Sequence, residues 1–282
     1  MIITKRKTVR RYNTETYDFR DRAQTHGVSS MGQSTVNAVD RFVQDCKDYG
    51  IWDKLIDVCL FCGGNLEMAL TRLKYPEGVP DRIVSAGFDG DSDYNETGAN
   101  GGLLSSGSEY LDTGVLQADG SPKPTGALGF YGKYAPGSNA GGACLIGLGS
   151  GSDNVNFALR RTGTDGAQLW WGDPAQDTIL NEDVPVQGFL LGSFDGLNAR
   201  SLYLNGNVIA SFPGTAHVEV DDSGGTGYFV FGRNDWNDGG LQEPAAVRGK
   251  FYCISEGLSP GQCQALYGAV QGFQVALGRA YV

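Results

Sequence analysis

From residue 65 to about residue 256 the chain is written in short apolar runs punctuated by Gly, Asn, Asp and Ser. Runs of that length bounded by turn residues predict strands. They fall at 83–88, 109–113, 128–134, 143–148, 156–160, 167–171, 188–194, 200–204, 207–212, 227–232 and 249–254. Their close spacing, with the Asn205-Gly206 pair set as a tight turn, predicts antiparallel hairpins, because parallel strands need crossovers of about a dozen residues or more. So many strands in one core predict two sheets packed face to face, a jelly-roll sandwich. No internal repeat accompanies them.

The pattern changes to a helical period at both ends. Val36, Val39, Phe42, Val43 and Cys46 share one face of a helix that starts near Ser34 and breaks at Gly50. A second short helix is expected over 51–58, with Trp52, Leu55 and Ile56 against the sheet. At the other end Ser259-Pro260-Gly261-Gln262 has the form of a capping box with proline at the first helical position. Leu266, Val270, Phe273 and Leu277 then make one apolar stripe before Gly278, which predicts a helix over 259–277. Residues 1–30 carry no sustained periodicity and are expected to be an extended arm. The organisation expected is thus an arm (1–30), a helical pair (31–64) and a jelly roll with its closing helix (65–282).

Glycine fits this picture: 43 residues, far above the usual share of about 7%, with no three-residue period. Charge alters it at one place. The chain carries a formal −10, which excludes a nucleic-acid-binding body, yet residues 1–22 hold Lys5, Arg6, Lys7, Arg10, Arg11, Arg20 and Arg22 against Glu15, Asp18 and Asp21. A basic arm of that kind suits docking on an acidic surface, with a solvated terminus as the plain alternative. No run of 18 apolar residues is present, and the N-terminus lacks the apolar core of a secretory signal, so synthesis in a cytoplasm without membrane insertion is expected. Cys46, Cys59, Cys62, Cys144, Cys253 and Cys263 are then expected to be buried thiols, although oxidation in an exported particle stays open.

Candidate chemistry is sparse. The acidic run 89–96 fails as an EF-hand, since Tyr94 and Asn100 stand where Gly and a bidentate Glu are required; a solvated turn is expected, with an irregular calcium site as the lesser alternative and no other cofactor. Cys59-Leu60-Phe61-Cys62 has a C-x-x-C spacing, but His26 and His217 belong to other segments, so no zinc set forms. Glu219-Val220-Asp221-Asp222 is the nearest fragment to a glycosidase carboxylate motif and lacks its third acid, so no catalytic residue is assigned. Two loops combine indole rings with amides and carboxylates, the mixture that stacks on a sugar and bonds its hydroxyls. They are Trp170-Trp171-Gly172-Asp173 and the stretch Arg233 to Asp238. Strand alternation turns one of Trp170 and Trp171 into the core. Trp236, with Arg233 and Asp235, is therefore the expected glycan or subunit contact.

Four segments carry a family resemblance. Gly257-Leu258-Ser259 followed by Leu266-Tyr267-Gly268-Ala269-Val270-Gln271-Gly272-Phe273-Gln274 and Leu277-Gly278-Arg279 is similar to a recurrent C-terminus of bacteriophage structural proteins. Leu202 to Ala210, Phe229 to Asn234 and Tyr49 to Leu55 resemble further landmarks of the same proteins. The resemblance implies a laminin-G-like, concanavalin A-like jelly roll in a non-enzymatic virion protein mounted on the head, neck or tail exterior. It also implies capsid, neck or tail proteins as partners and a homo-oligomeric assembly. Lys5, Arg6, Lys7, Arg10 and Arg11 would then anchor the arm. A receptor-binding lectin that recognises host surface glycans is the alternative, and a glycoside hydrolase a more distant one.

Overall fold

The computed structural model describes residues 11–27, 29–90, 92–116, 126–134, 142–149, 156–162, 166–172, 178–181, 184–194, 199–213, 227–235 and 240–281. In chain order its strands are β1 (Leu55–Cys59), β2 (Val84–Ala86), β3 (Tyr94–Asn95), β4 (Gly102–Ser106), β5 (Tyr110–Leu116), β6 (Gly126–Tyr134), β7 (Ala143–Gly149), β8 (Asn156–Thr162), β9 (Gly166–Gly172), β10 (Thr178–Asn181), β11 (Gln187–Phe194), β12 (Ala199–Leu204), β13 (Asn207–Pro213), β14 (Gly227–Val230), β15 (Arg233–Asp235), β16 (Gly240–Gln242) and β17 (Ala246–Ser255). The helices are α1 (Thr14–Gly27), α2 (Gln33–Asp48), the single turn α3 (Leu66–Ala69) and α4 (Pro260–Ala276).

Two sheets form the expected sandwich. The inner sheet runs β13-β12-β11-β6-β17-β4-β3, with β1 also paired to β17; the outer sheet runs β10-β9-β8-β7-β14-β5-β2, with β15 and β16 attached. Alternation along the inner strands sends Leu128, Phe130, Leu190, Leu202, Tyr252 and Ile254 toward the outer sheet, where Leu145, Leu148, Leu159, Leu169 and Val230 meet them. The intervening Tyr131, Phe189, Leu191, Tyr203, Phe251 and Cys253 face the other way, into a second core built with Phe19, Val39, Phe42, Leu266, Val270 and Phe273 of the helices. Each large apolar side chain so enclosed contributes about 1.5–3 kcal/mol. The molecule therefore has three layers, with the inner sheet buried on both faces.

The pairing is antiparallel throughout these strands except for β15, which runs parallel to β7. That departure from the expected hairpins follows a backbone reversal: Phe231 takes a left-handed φ of 69°, so the chain leaves β14 and re-enters alongside β7 in the opposite sense.

Two corrections concern the N-terminal segment. Residues 14–27 form α1 instead of an extended arm, with Thr16, Phe19, Ala23 and Gly27 buried along one face. That stripe has one large apolar residue, too few to register as a period. Residues 51–58 are not a helix: Trp52–Lys54 is a single 3-10 turn, and Leu55–Cys59 is the strand β1. Ile56 and Val58 are β-branched and suit the ladder that β17 provides. β1 thus belongs to the sandwich, inside the segment expected to be a helical pair.

The end of the chain closes a gap in the inner sheet. Along one edge of β17, β4 pairs with Ala246 to Gly249 and β1 with Tyr252 to Ser255, leaving the Lys250 carbonyl between them. Arg279, fully buried, donates to that carbonyl (3.1 Å) and to those of Leu60 (2.6 Å), Phe61 (2.7 Å) and Glu96 (3.3 Å). Its Nε donates to Gln274 Oε1 at 2.6 Å. One guanidinium with five donors stands in for the missing ladder bonds. Among the described residues no helix is long and apolar enough to cross a membrane.

Candidate functional site

The neighbouring strands β7, β8 and β9 build a polar cluster on the outward face of the outer sheet. On β8, Phe157 and Leu159 enter the sandwich core, so Ala158 and Arg160 point away from it. On β9, Ala167 and Leu169 enter the core, so Gln168 and Trp170 point outward. The register sets Arg160 opposite Gln168 and Ala158 opposite Trp170. A cation, an amide and an indole are thereby gathered on one patch of pleated surface.

Arg160 organises that patch. Its Nη1 donates to Gln168 Oε1 at 3.0 Å, its Nη2 lies 2.7 Å from Glu243 Oε1, and its guanidinium stacks 3.5 Å from the centre of the Trp170 ring. A planar guanidinium can do all three at once because its edge donates while its face stacks. Its side chain is 5% exposed, and burial pushes its pKa down while the Glu243 carboxylate opposes that shift. Gly142, at φ 102°, leaves it room: a Cβ there would come within 2.9 Å of Arg160 Nη2.

Glu243 is held in place by its backbone. It adopts φ 49°, a left-handed conformation that costs a non-glycine residue about 1–3 kcal/mol, and its carbonyl accepts from the Cys144 amide at 2.9 Å. The carboxylate so placed meets Arg160 on one side and, at 3.7 Å, Arg233 Nε on the other. Arg233 pairs in register with Gly147 of β7, which brings it onto the same face. Trp170, Gln168 and Glu243 are half-buried, with Glu243 Oε2 closed off from solvent, and Arg160 and Arg233 are buried.

Of the residues expected from sequence, Arg233 joins this cluster, Asp235 lies two positions further along β15 and is buried, and Trp236 falls outside the described residues. Trp170 is the tryptophan of its pair that faces outward; the side chain of Trp171 is outside the description, as are Glu219, Asp221 and His217. Arg160, Gln168 and Glu243 escaped the sequence reading. A signal existed, because polar residues at alternate positions of two adjacent strands share a face, but it needs the register to be seen.

The other candidates resolve as structure. In the acidic turn the Asp93 carboxylate accepts from the Asp89 amide (2.7 Å) and the Ser92 hydroxyl (3.1 Å), and no group of three His, Cys, Asp or Glu side chains among the described residues could hold a metal ion. All six cysteines are buried free thiols; Cys59 donates to the Ala69 carbonyl, and burial pushes its thiol up to about 12, so it stays protonated and inert. In the basic segment Arg11 is exposed, Arg20 pairs with Asp21, and Arg22 donates to the Arg72 carbonyl, while Lys5, Arg6, Lys7 and Arg10 lie outside the described residues.

No protein-family model and no curated protein matches the sequence. Solved structures do match the fold. The binding domain of botulinum neurotoxin serotype D is similar at 15% identity and a TM-score of 0.50, over 77% of this chain and 51% of that one. A CBM40 domain of the Ruminococcus gnavus IT-sialidase, solved with α2,3-sialyllactose, is similar at 18% identity and a TM-score of 0.46, over 59% of this chain and 96% of that one. The NanB sialidase of Streptococcus pneumoniae, in its K499G form, is similar at 13% identity and a TM-score of 0.44 over 57% of this chain, which spans 26% of the NanB chain. At these identities the likeness is one of architecture: a mainly β, two-sheet jelly-roll sandwich.

Proposed function

We propose that this chain is a glycan-binding module, with Trp170, Gln168 and Glu243 as its contact surface and Arg160 and Arg233 as the props beneath. The observation that supports this most is the single buried guanidinium of Arg160, which fixes an aromatic face, an amide and a carboxylate side by side. A sugar presents an apolar ring face and a rim of hydroxyls. Trp170 offers a surface for the first; the Gln168 amide and the Oε1 edge of Glu243 offer polar groups for the second. Nothing in this arrangement calls for bond cleavage, so its work is adhesion.

The test is a glycan array probed with the full chain, followed by calorimetry on the best ligand. Trp170→Ala should weaken binding at least about tenfold, roughly 1.4 kcal/mol, with an unchanged melting temperature. Equal binding by wild type and variant would overturn the site.

For the setting we propose the exterior of a virion, on the strength of the phage-like landmarks in Tyr49 to Leu55 and in α4. Those landmarks belong to the helical layer, whereas the platform faces outward from the outer sheet, so one side can mount while the other binds. Labelled antibody against the chain, imaged on purified particles, checks this; label absent from intact particles would refute it.

A further inference from the structure

Between α2 and α4 lies an open groove of about 420 Å³, walled by Arg41, Asp45 and Tyr49 on one side and floored by Gly261, Ala265 and Gly268 on the other. The α4 side is unlike the rest of the helical layer. Its residues, Pro260–Ala276, include no Asp, Glu, Lys or Arg, whereas α1 and α2 show Asp18, Asp21, Arg41 and Asp48 to solvent. A helix whose outer face ends in water carries charged or polar side chains there. On α4 that face holds Gln264 among Gly261, Gly268, Gly272 and Val275, the last 60% exposed. Glycine inside a helix costs stability relative to alanine, and a Cβ at Gly268 or Gly272 would meet nothing within 4 Å, so packing within one chain does not require them. Bare backbone on an outer face lets a second surface come close. Tyr49, the C-cap of α2, stands at the groove as a large aromatic side chain 62% exposed. Depleted charge and an exposed aromatic are features of the centre of a protein interface.

We infer that this face binds a second copy of the chain, the two copies being related by a two-fold axis at the α2–α4 groove. A copy is favoured over another protein because the face complements itself. In a two-fold contact one patch must supply both sides of every interaction. This patch carries a knob, Tyr49, and a hollow, the glycine floor of α4. Its two charges have opposite signs: Arg41 and Asp45 lie one turn apart on α2, 74% and 32% exposed, in a loose bridge of 3.7 Å. An axis passing between them lays Arg41 of each copy on Asp45 of the other. The contact uses the helical layer and leaves the Trp170 platform uncovered, so it stands apart from the glycan reading.

The experiment is sedimentation of the full chain over a concentration series reaching about 100 μM, with melting curves to show that each variant is folded. Wild type should dimerise. Gly268→Leu, which fills the groove where a single chain has room for it, should weaken the dimer at least about tenfold. Arg41→Asp alone and Asp45→Arg alone set like charges against each other across the axis, and each should weaken it by a similar factor. An equimolar mixture of those two variants should associate again, because each supplies the charge the other lacks. A bridge that matters only within one chain predicts no such rescue. Wild type that stays monomeric throughout overturns the inference and leaves the face to a different protein. A dimer indifferent to Gly268→Leu, or a mixture that associates no better than its components, overturns it as well.

Discussion

At the scale of single residues, the two most consequential side chains are buried cations. Arg160 stabilises the platform through three contacts of different kinds, so Arg160→Met should remove glycan binding and also destabilise the protein. Breaking one side of a buried ion pair costs about 3–5 kcal/mol, which chemical unfolding would register. Lys250 is the second. Fully buried, it donates to the carbonyls of Arg279 (2.6 Å) and Ala99 (3.2 Å) and lies 3.7 Å from the centre of the Tyr281 ring. Burial, with Arg279, Arg248 and Lys133 nearby, pushes its amine down to about 7. The unfolded lysine, near 10.4, binds its proton more tightly, so stability should rise as pH climbs from about 7 to about 10 and stay level in this respect below 7. Urea unfolding at pH 6, 7 and 9 should show that rise in the wild type and its loss in Lys250→Met. Neither residue was legible beforehand. In Asn156-Phe157-Ala158-Leu159-Arg160-Arg161 the alternation that sends Phe157 and Leu159 inward turns Arg160 outward, but only the pairing with β9 sets it against Gln168.

At the scale of elements, legibility followed length and local chemistry. The α4 cap forms as the sequence implies: Ser259 Oγ accepts from the Gln262 amide, and Gln262 Oε1 accepts from the Ser259 amide. Ser259→Ala should cost about 1 kcal/mol in thermal or chemical unfolding. The same helix carries Gly268 and Gly272 where an added Cβ would meet nothing within 4 Å. Gly268→Ala and Gly272→Ala should each stabilise the isolated protein by about 0.5–1 kcal/mol, and a loss of stability would show that those glycines are needed within the chain. The strands of seven or more residues announced themselves by their apolar runs. Of those that were missed, Tyr94–Asn95, Arg233–Asp235 and Gly240–Gln242 are two or three residues long and owe their pairing to neighbours already in place, while Leu55–Cys59, Gly102–Ser106 and Thr178–Asn181 are four or five. α1 was missed for a related reason, since Phe19 is its one large buried apolar side chain and its helicity depends on the core it joins.

At the scale of the whole molecule, the sandwich was readable as many short strands in one core and α2 and α4 as amphipathic helices, whereas their assembly with α1 into a third layer was not. The inner sheet's second apolar face is hidden in the sequence, because a strand buried on both sides reads simply as a stronger strand. Its consequence is that the N-terminal segment is part of the fold. Phe19→Ala should cost about 3–5 kcal/mol, and removal of residues 1–27 should destabilise the whole chain, where a detachable arm would leave it unchanged. The layers also separate two faces, helical on one side and polar β on the other, and the account places recognition on the second. The measurement that tests this most directly is a structure of the full chain with the best array ligand bound. The account predicts a sugar ring on the Trp170 indole with hydroxyls at Glu243 and Gln168. A sugar bound elsewhere on the surface, with that patch empty, would contradict it.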